Sequence, residues 1–169
     1  GDIWVDGMSI SSDGRYVSFT SNASNVVPGD TNGTWDVFVR DRLTGSTTRV
    51  SVGQGGAQAN DYSTNESMSA DGRYVAFLSG ATNLVPGDTN GRPDVFVRDL
   101  QTGTTAIASV SSAGVLSNGY STWMSISANG RYVVFSSNAT NLVAGDTNGH
   151  YDVFVRDLVT GTTTMASVS

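Results

Sequence analysis

The chain has 169 residues, the length of a single small domain. It contains no Cys and no Lys, which excludes disulfide scaffolds, thiolate metal sites, P-loop lysines and Schiff-base lysines. A formal net charge of −6 disfavours nucleic acid, and no apolar run approaches the roughly 18 residues of a membrane span, so we expect neither partner.

Four apolar stretches follow one another in the first 53 residues. They lie around Met8–Ser11 and at Arg15–Ser21, Asp36–Asp41 and Thr47–Val52. Asp13-Gly14 and Thr44-Gly45 are signals for tight hairpin turns, and a long polar loop, Asn22–Trp35, precedes the third stretch. Gly, Ser, Thr, Asn and Asp, which favour turns over helix, are abundant. The sequence therefore predicts an all-β fold of antiparallel strands.

This pattern recurs twice, with an offset of 58 residues each time. The motif Asp-Gly-Arg-Tyr-Val begins at Asp13 and Asp71 and returns from Asn129 with Asn in first place. Gly-Asp-Thr-Asn-Gly and Asp-Val-Phe-Val-Arg-Asp recur at the same offset. The chain therefore divides into three equivalent units, 1–53, 59–111 and 117–169, joined by two short connectors.

Four antiparallel strands per repeat match the plan of a β-propeller blade. A β-helix rung is far shorter than this repeat, and a β-sandwich gives no reason for such regular recurrence. Val37-Phe38-Val39 is apolar on both faces, as expected of a strand packed between two neighbouring blades. We predict three four-stranded blades.

Residues 11–19, Asp36–Asp41 and Thr44-Gly45, repeated in all three units, resemble the TolB-like (WD40-like) propeller repeats of bacteria. The first turn departs from that family, because its usual proline is replaced by Ser12, Ala70 and Ala128. The resemblance implies a propeller of about six blades. It also implies a secreted or periplasmic location and the binding of partners rather than catalysis.

Three blades are too few to close a propeller, which needs about four to eight. Each end blade would expose an apolar face that a neighbour covers in a complete ring. Each terminus is expected to fall at a blade boundary, so a head-to-tail homodimer would complete six blades without exchanging a strand. A nine-bladed trimer and an excised fragment of a longer propeller are the alternatives.

The most specific chemical motif is the loop Asp30-Thr31-Asn32-Gly33-Thr34-Trp35-Asp36 with its two copies. Its side-chain oxygens and its turn glycine resemble the start of a calcium loop, although the Glu that completes an EF-hand is missing. A plain turn, capped by Asp and Asn side chains, explains the same residues. The candidate calcium ligands are Asp30, Asn32, Asp36, Asp88, Asn90, Asp94, Asp146, Asn148 and Asp152.

Two kinds of loop are expected to share one face of the propeller: the aspartate loops and the connectors between blades. Aromatic residues cluster in these segments, as they do in surfaces that bind peptides or sugars. Trp4, Tyr62 and Tyr120 are equivalent in the repeats, and filling of the space between blades is their competing explanation. The candidate ligand-binding residues are Trp35, Arg92, His150, Tyr151, Tyr62 and Tyr120.

Little in the sequence favours catalysis. His150 is the only histidine, so a Ser-His-Asp triad would depend on one loop residue. The aspartates occur in repeat-related sets that should share one environment, and Glu66, the only glutamate, is expected to be solvated. Arg40-Asp41 and its copies are expected to form structural ion pairs across blades.

We therefore predict a non-enzymatic propeller module that self-assembles into a closed ring. The module is expected to bind a protein, peptide or glycan on its loop face, with calcium as the candidate cofactor. A carbohydrate-binding lectin and a purely structural scaffold are the alternatives.

Overall fold

A computed structural model describes residues 5–167, and the all-β prediction is confirmed. Three four-stranded antiparallel sheets, one per repeat, accompany a short 3₁₀ turn at Gln54–Gly56. Among the described residues, no helix has the length and apolar character needed to cross a membrane. The strands are β1 Val5–Ile10, β2 Tyr16–Ser21, β3 Asp36–Asp41, β4 Ser46–Arg49, β5 Ser63–Met68, β6 Tyr74–Ser79, β7 Asp94–Asp99, β8 Thr104–Ile107, β9 Ser121–Ile126, β10 Tyr132–Ser137, β11 Asp152–Asp157 and β12 Thr162–Met165.

The strands of each sheet lie in chain order, and the first strand of the middle blade, β5, contacts the first strands of the other two, β1 and β9. They form the inner edge around which the three blades are arranged. The third strand has the predicted bounds. The fourth ends at Arg49 rather than Val52, although the Val50 N–H still donates to the Val37 carbonyl at 2.7 Å. The first begins at Val5, before a bulge near Gly7 that the sequence did not indicate.

An ion pair joins the two hairpins within each blade. Arg15 donates through Nε and Nη2 to the two carboxylate oxygens of Asp41, at 3.0 and 2.8 Å. This arginine holds the pKa of Asp41 well below its usual range. The expectation that Arg40 and Asp41 form pairs across blades was wrong, because Arg15 of the same blade engages both oxygens of Asp41. Arg40 instead donates to Thr47 Oγ1.

The hydrophobic core lies between the sheets. One buried cluster joins blades 1 and 2, and the other joins blades 2 and 3. Val39 and Val75 meet in the first cluster, whereas Val97 and Val133 meet in the second. A blade is therefore stabilised by its neighbours, and each internal boundary repeats the same packing.

A tyrosine from each blade covers a glycine of the next, in a contact that we call the tyrosine–glycine contact. A Cβ added at Gly72 would lie 2.4 Å from Tyr16 Cδ2, and one added at Gly130 would lie 2.2 Å from Tyr74 Cδ2. Both glycines have positive φ, 73° and 69°. The position therefore needs glycine both for its backbone conformation and for the close approach of the ring.

The outward faces of the two end blades lack this cover. Tyr132 is 38% exposed, and within residues 5–167 no tyrosine lies over Gly14. Val153 in blade 3 is 39% exposed, whereas the equivalent Val95 in blade 2 is fully buried. We call the outward side of blade 1 the leading face, with Met8, Ile10 and Gly14, and that of blade 3 the trailing face, with Tyr132, Val134 and Val153.

Replacing Gly72 by alanine tests the tyrosine–glycine contact, with Gly91→Ala as the control. Both positions have positive φ, so alanine carries a strain of about 1–2 kcal/mol at either one. Gly91 has open space around it, whereas a Cβ at Gly72 would collide with Tyr16. We expect Gly72→Ala to lower the free energy of unfolding in urea by about 1–3 kcal/mol more than Gly91→Ala. Equal losses of unfolding free energy in the two variants would show that the Tyr16 side chain does not constrain Gly72.

Candidate functional site

The aspartate loop of blade 1 contacts the connector that leads to blade 2. Gln58 Nε2 donates to the Gly29 carbonyl at 2.6 Å, and Gln58 Oε1 accepts from the Thr31 N–H at 3.1 Å. Asn32 Nδ2 also reaches the Ala59 carbonyl at 3.2 Å. The two kinds of loop therefore share one side of the sheets, which we call the loop face.

Within each aspartate loop the asparagine bonds to the last aspartate. Asn32 Nδ2 donates to Asp36 Oδ2 at 2.8 Å, and Ser51 Oγ donates to the other carboxylate oxygen at 2.5 Å. Asn90 with Asp94, and Asn148 with Asp152, repeat this bond. The asparagine nitrogen, rather than its oxygen, thus faces the carboxylate. These hydrogen bonds account for the presence of the asparagine and the last aspartate in each loop, because both side chains cap the turn.

The first aspartate of the loop differs between blades. In blade 1, Arg49 Nη2 lies 3.0 Å from Asp30 Oδ1, and Arg49 Nε lies 3.7 Å from Asp36 Oδ2. Blades 2 and 3 carry Ile107 and Met165 at the position of Arg49. The expectation that repeated aspartates share one environment was wrong, because this residue of the fourth strand changes from cationic to apolar.

Asp88 and Asp146 are consequently buried without a cationic partner among residues 5–167. Each is 7% exposed, and neither oxygen of either carboxylate accepts a hydrogen bond of good geometry. Burial raises the pKa of Asp88, and a weak attraction to the backbone N–H of Asn90 partly opposes the effect.

The last aspartate also titrates differently in the three blades. The pKa of Asp94 is raised to about 6, mainly by burial; hydrogen bonds from Ser109 and Asn90 oppose the rise, and the nearby charge of Asp88 adds to it. Burial raises the pKa of Asp36 too, but the Arg49 charge opposes this rise. In blade 3, hydrogen bonds from Ser167 and Asn148 lower the pKa of Asp152. In blade 2 the last aspartate is therefore hydrogen-bonded through both oxygens, whereas Asp88 is the poorly compensated carboxylate.

Across residues 5–167, no three His, Asp or Glu side chains converge in a group that could hold a metal. Each loop instead offers two aspartates, with the asparagine engaged as a donor. The calcium assignment for the nine loop residues stays a prediction.

Two of the six predicted ligand residues stack on the loop face. The Arg92 guanidinium carbon lies 4.8 Å from the centre of the half-exposed Tyr120 ring. Tyr62 is half-buried against Gly80, where an added Cβ would lie 3.0 Å from the ring. This placement favours space filling for Tyr62. The equivalent Trp4 lies outside the described residues.

The other three predicted ligand residues belong to aspartate loops of two different blades. Trp35 in blade 1 is half-buried, whereas His150 and Tyr151 in blade 3 are exposed. They present separate surfaces of the loop face. The structure therefore supplies one compact pair, Arg92 with Tyr120, and not a single six-residue site.

Sequence reasoning misjudged Glu66. This residue is buried, and its Oε2 accepts a 2.5 Å hydrogen bond from Thr20 Oγ1 of blade 1. It also lies against Gly7, whose added Cβ would be 2.8 Å from the same oxygen. The expectation of a solvated glutamate was wrong, because position 66 faces the preceding blade.

Sequence reasoning also missed a bulge that recurs in each inner strand. Gly7, Asn65 and Trp123 occupy equivalent positions with φ of 70°, 52° and 37°. A tryptophan in this region of backbone conformation is strained. The glycine and asparagine at equivalent positions were the one available signal, since both tolerate positive φ.

Comparison with known proteins gives a likeness of fold. No family model and no curated protein matches the sequence. Among solved structures, a TolB-type protein from Agrobacterium tumefaciens has a TM-score of 0.56 at 19% identity over 98% of this chain. The chain has a TolB-like β-propeller fold. The β-propeller domain of the Trilobed protease from Pyrococcus furiosus has a TM-score of 0.57 at 9% identity over 97% of the chain.

TolB-like blades of this kind also resemble propellers in enzymes. Oligogalacturonate lyase from Vibrio parahaemolyticus has a TM-score of 0.56 at 14% identity over 97% of the chain. The chain spans 49%, 42% and 40% of the Agrobacterium, Pyrococcus and Vibrio proteins, respectively. It therefore corresponds to about half or less of each of these structures.

Proposed function

We propose that this chain is a non-enzymatic propeller module that joins a second copy head to tail and binds a partner on its loop face. The two copies form a closed six-bladed ring. The observation that carries the proposal is the complementarity of the leading and trailing faces. Three features of one face match features of the other at the equivalent positions.

The first match is the unused tyrosine–glycine contact. Tyr132 has no glycine to cover, and Gly14 has no tyrosine over it within residues 5–167. In the ring, Tyr132 lies on Gly14 of the partner subunit, as Tyr74 lies on Gly130 within the chain. A ring is formed when such a head-to-tail contact repeats and closes.

The second match joins the two most exposed large apolar side chains of the inner strands. At the first internal boundary, position 7 lies against position 66 of the next blade. The equivalent positions at the open end are Trp123, 81% exposed, and the partner's Met8, 76% exposed within the chain. A methionine sulfur against a tryptophan ring is a favourable contact. Such a contact gives a reason for keeping a strained tryptophan at the bulge.

The third match is a backbone ladder across the blades. The Ser12 N–H donates to the Ala70 carbonyl at 2.8 Å, and the Ala70 N–H donates to the Ala128 carbonyl at 2.9 Å. The Ala128 N–H comes next in this series. In the ring it donates to the carbonyl of the partner's Ser12, so the ladder continues through the new boundary.

The loop face supplies the partner site. Tyr and Arg are the residue types enriched where binding energy concentrates in protein interfaces, and Arg92 stacked on Tyr120 combines both. We therefore propose a protein or peptide as the partner, with a glycan as the alternative. By its resemblance to TolB-like proteins, we propose a secreted or periplasmic location.

Two features support a non-enzymatic role. His150 is an exposed loop residue whose backbone N–H bonds to Asn148 Oδ1. Of the three aspartates with raised pKa values, Asp36 and Asp94 are engaged in capping their own turns, and Asp88 is the third. Similar propellers occur in a lyase and in a protease, so a catalytic role would need activity measured on this chain.

Light scattering after size exclusion tests the ring. The wild type is expected to have the mass of two chains. Tyr132→Ala is expected to give one folded chain. The Tyr132 side chain is half-exposed within one chain, so its loss should be tolerated there, but it covers Gly14 of the partner subunit in the six-bladed ring. Tyr151→Ala removes another exposed tyrosine, from a loop, and should keep the two-chain mass. A folded wild type of one chain or three chains would contradict the six-bladed ring.

Alanine at Gly14 tests the opposite face, with Gly33→Ala as the control. The two glycines have nearly equal φ, 71° and 68°, so the strain within the chain is matched. Neither added Cβ meets backbone atoms of the chain within 4 Å. Only Gly14→Ala should dissociate the ring, because its methyl group would collide with the partner's Tyr132. Dissociation by both variants would point to general destabilisation.

Panning a random peptide library against the assembled protein tests the loop face, with a glycan array in parallel. We expect peptides whose binding is lost at least tenfold in Arg92→Ala and retained in Arg40→Ala, which removes an exposed arginine from the end of β3. Glycans whose binding is lost in Arg92→Ala and retained in Arg40→Ala would support a carbohydrate-binding lectin. No ligand in either screen would favour the scaffold.

A further inference from the structure

We propose that Asp88 with Asp94, and Asp146 with Asp152, each bind one calcium ion where blade 1 carries the guanidinium of Arg49. This inference is independent of the ring, because both sites lie within single blades. It also assigns the metal to two of the three loops.

Blade 1 shows what the position requires. Arg49 is buried, and its guanidinium spans the two aspartates, 3.0 Å from Asp30 Oδ1 and 3.7 Å from Asp36 Oδ2. The carboxylates of this loop therefore enclose a place for a positive charge. A buried carboxylate is costly unless such a charge or hydrogen bonds compensate it.

Blades 2 and 3 keep the carboxylates and lose the arginine. Ile107 and Met165 offer no charge, and neither Asp88 nor Asp146 accepts a hydrogen bond of good geometry from the described part of the chain. Both side chains are more than nine-tenths buried. Asp88 with Asp94, and Asp146 with Asp152, occupy the loop positions of Asp30 and Asp36, which lie on either side of the Arg49 guanidinium in blade 1. A bound cation would supply the missing charge in both blades.

The ligand chemistry favours calcium. The chain has no Cys and one His, so soft or borderline metals lack their usual ligands. Carboxylate oxygens, backbone carbonyls and water suit calcium, which accepts irregular geometry with about 6–8 oxygens. The residues beside Asp88 and Asp146 in the loop are exposed, Gly87 with Thr89 and Gly145 with Thr147, so an ion can enter from solvent. Two carboxylates per site suggest an affinity of about 10⁻⁴–10⁻³ M, as in extracellular calcium modules.

Exchange of residues at the arginine position provides the test, by titration calorimetry of the full chain with calcium chloride. The wild type should bind two ions per chain. Ile107→Arg should bind one, because the new guanidinium occupies the blade 2 site. Arg49→Ile should bind three, because it converts blade 1 to the arrangement of blade 2.

Asp88→Asn keeps the side-chain shape and should also reduce binding to one ion, whereas the control Asp61→Asn alters an exposed loop aspartate and should leave two. In EDTA, Ile107→Arg should also have a higher melting temperature than the wild type, because the new guanidinium compensates the charge of Asp88 without metal.

Ile107→Arg and Asp88→Asn are the deciding variants, so the test holds even if Arg49→Ile fails to fold. The proposal is overturned if the wild type binds no calcium at millimolar concentrations. It is overturned equally if both variants still bind two ions.

Discussion

The structure depends on the packing of one blade against the next. Each blade is a single twisted sheet without a core of its own, and the buried clusters lie between sheets. Val95 and Val153 show the effect directly: they occupy the same place in β7 and β11, but only the valine with a following blade is buried. Stability in such an array is set by nearest-neighbour contacts, so an end blade lacks part of what stabilises an inner one.

The repeated sequence makes the few differences informative. Two positions that change between otherwise equivalent blades coincide with a change of surroundings. Gly7, Asn65 and Trp123 share a bulge, yet only the tryptophan stands at an open end. Arg49 is replaced by apolar residues in the other two blades, where the facing aspartates lose their cation. The proposals for assembly and for calcium both come from such differences.

Much of the fold follows from the sequence alone. The 58-residue period, the turn dipeptides and the apolar third strand were sufficient to predict three four-stranded blades. The ion pairs were misassigned because Asp41 pairs within its own blade with Arg15, which lies 26 residues earlier in the turn between β1 and β2. The adjacency of Arg40 and Asp41 in the sequence gave no indication of this partner.

The site was less predictable, because its decisive contacts join residues far apart in the chain. Nothing near Asp30 in the sequence indicates that Arg49 fills its loop, and nothing near Glu66 indicates that Thr20 covers it. The environment of these carboxylates depends on the register of the fourth strand and on the neighbouring blade. Both became visible only when the blades were placed side by side.

The central claim is that the trailing face of one copy meets the leading face of another. Disulfide trapping tests it most directly, because the chain has no native cysteine. In the ring, Ala128 lies beside the partner's Ser12, as Ser12 lies beside Ala70 within the chain. We expect the double variant Ser12→Cys with Ala128→Cys to form covalent dimers on mild oxidation, and each single variant to remain monomeric on a non-reducing gel. Absence of the covalent dimer, or equal cross-linking in a single variant, would contradict the head-to-tail ring.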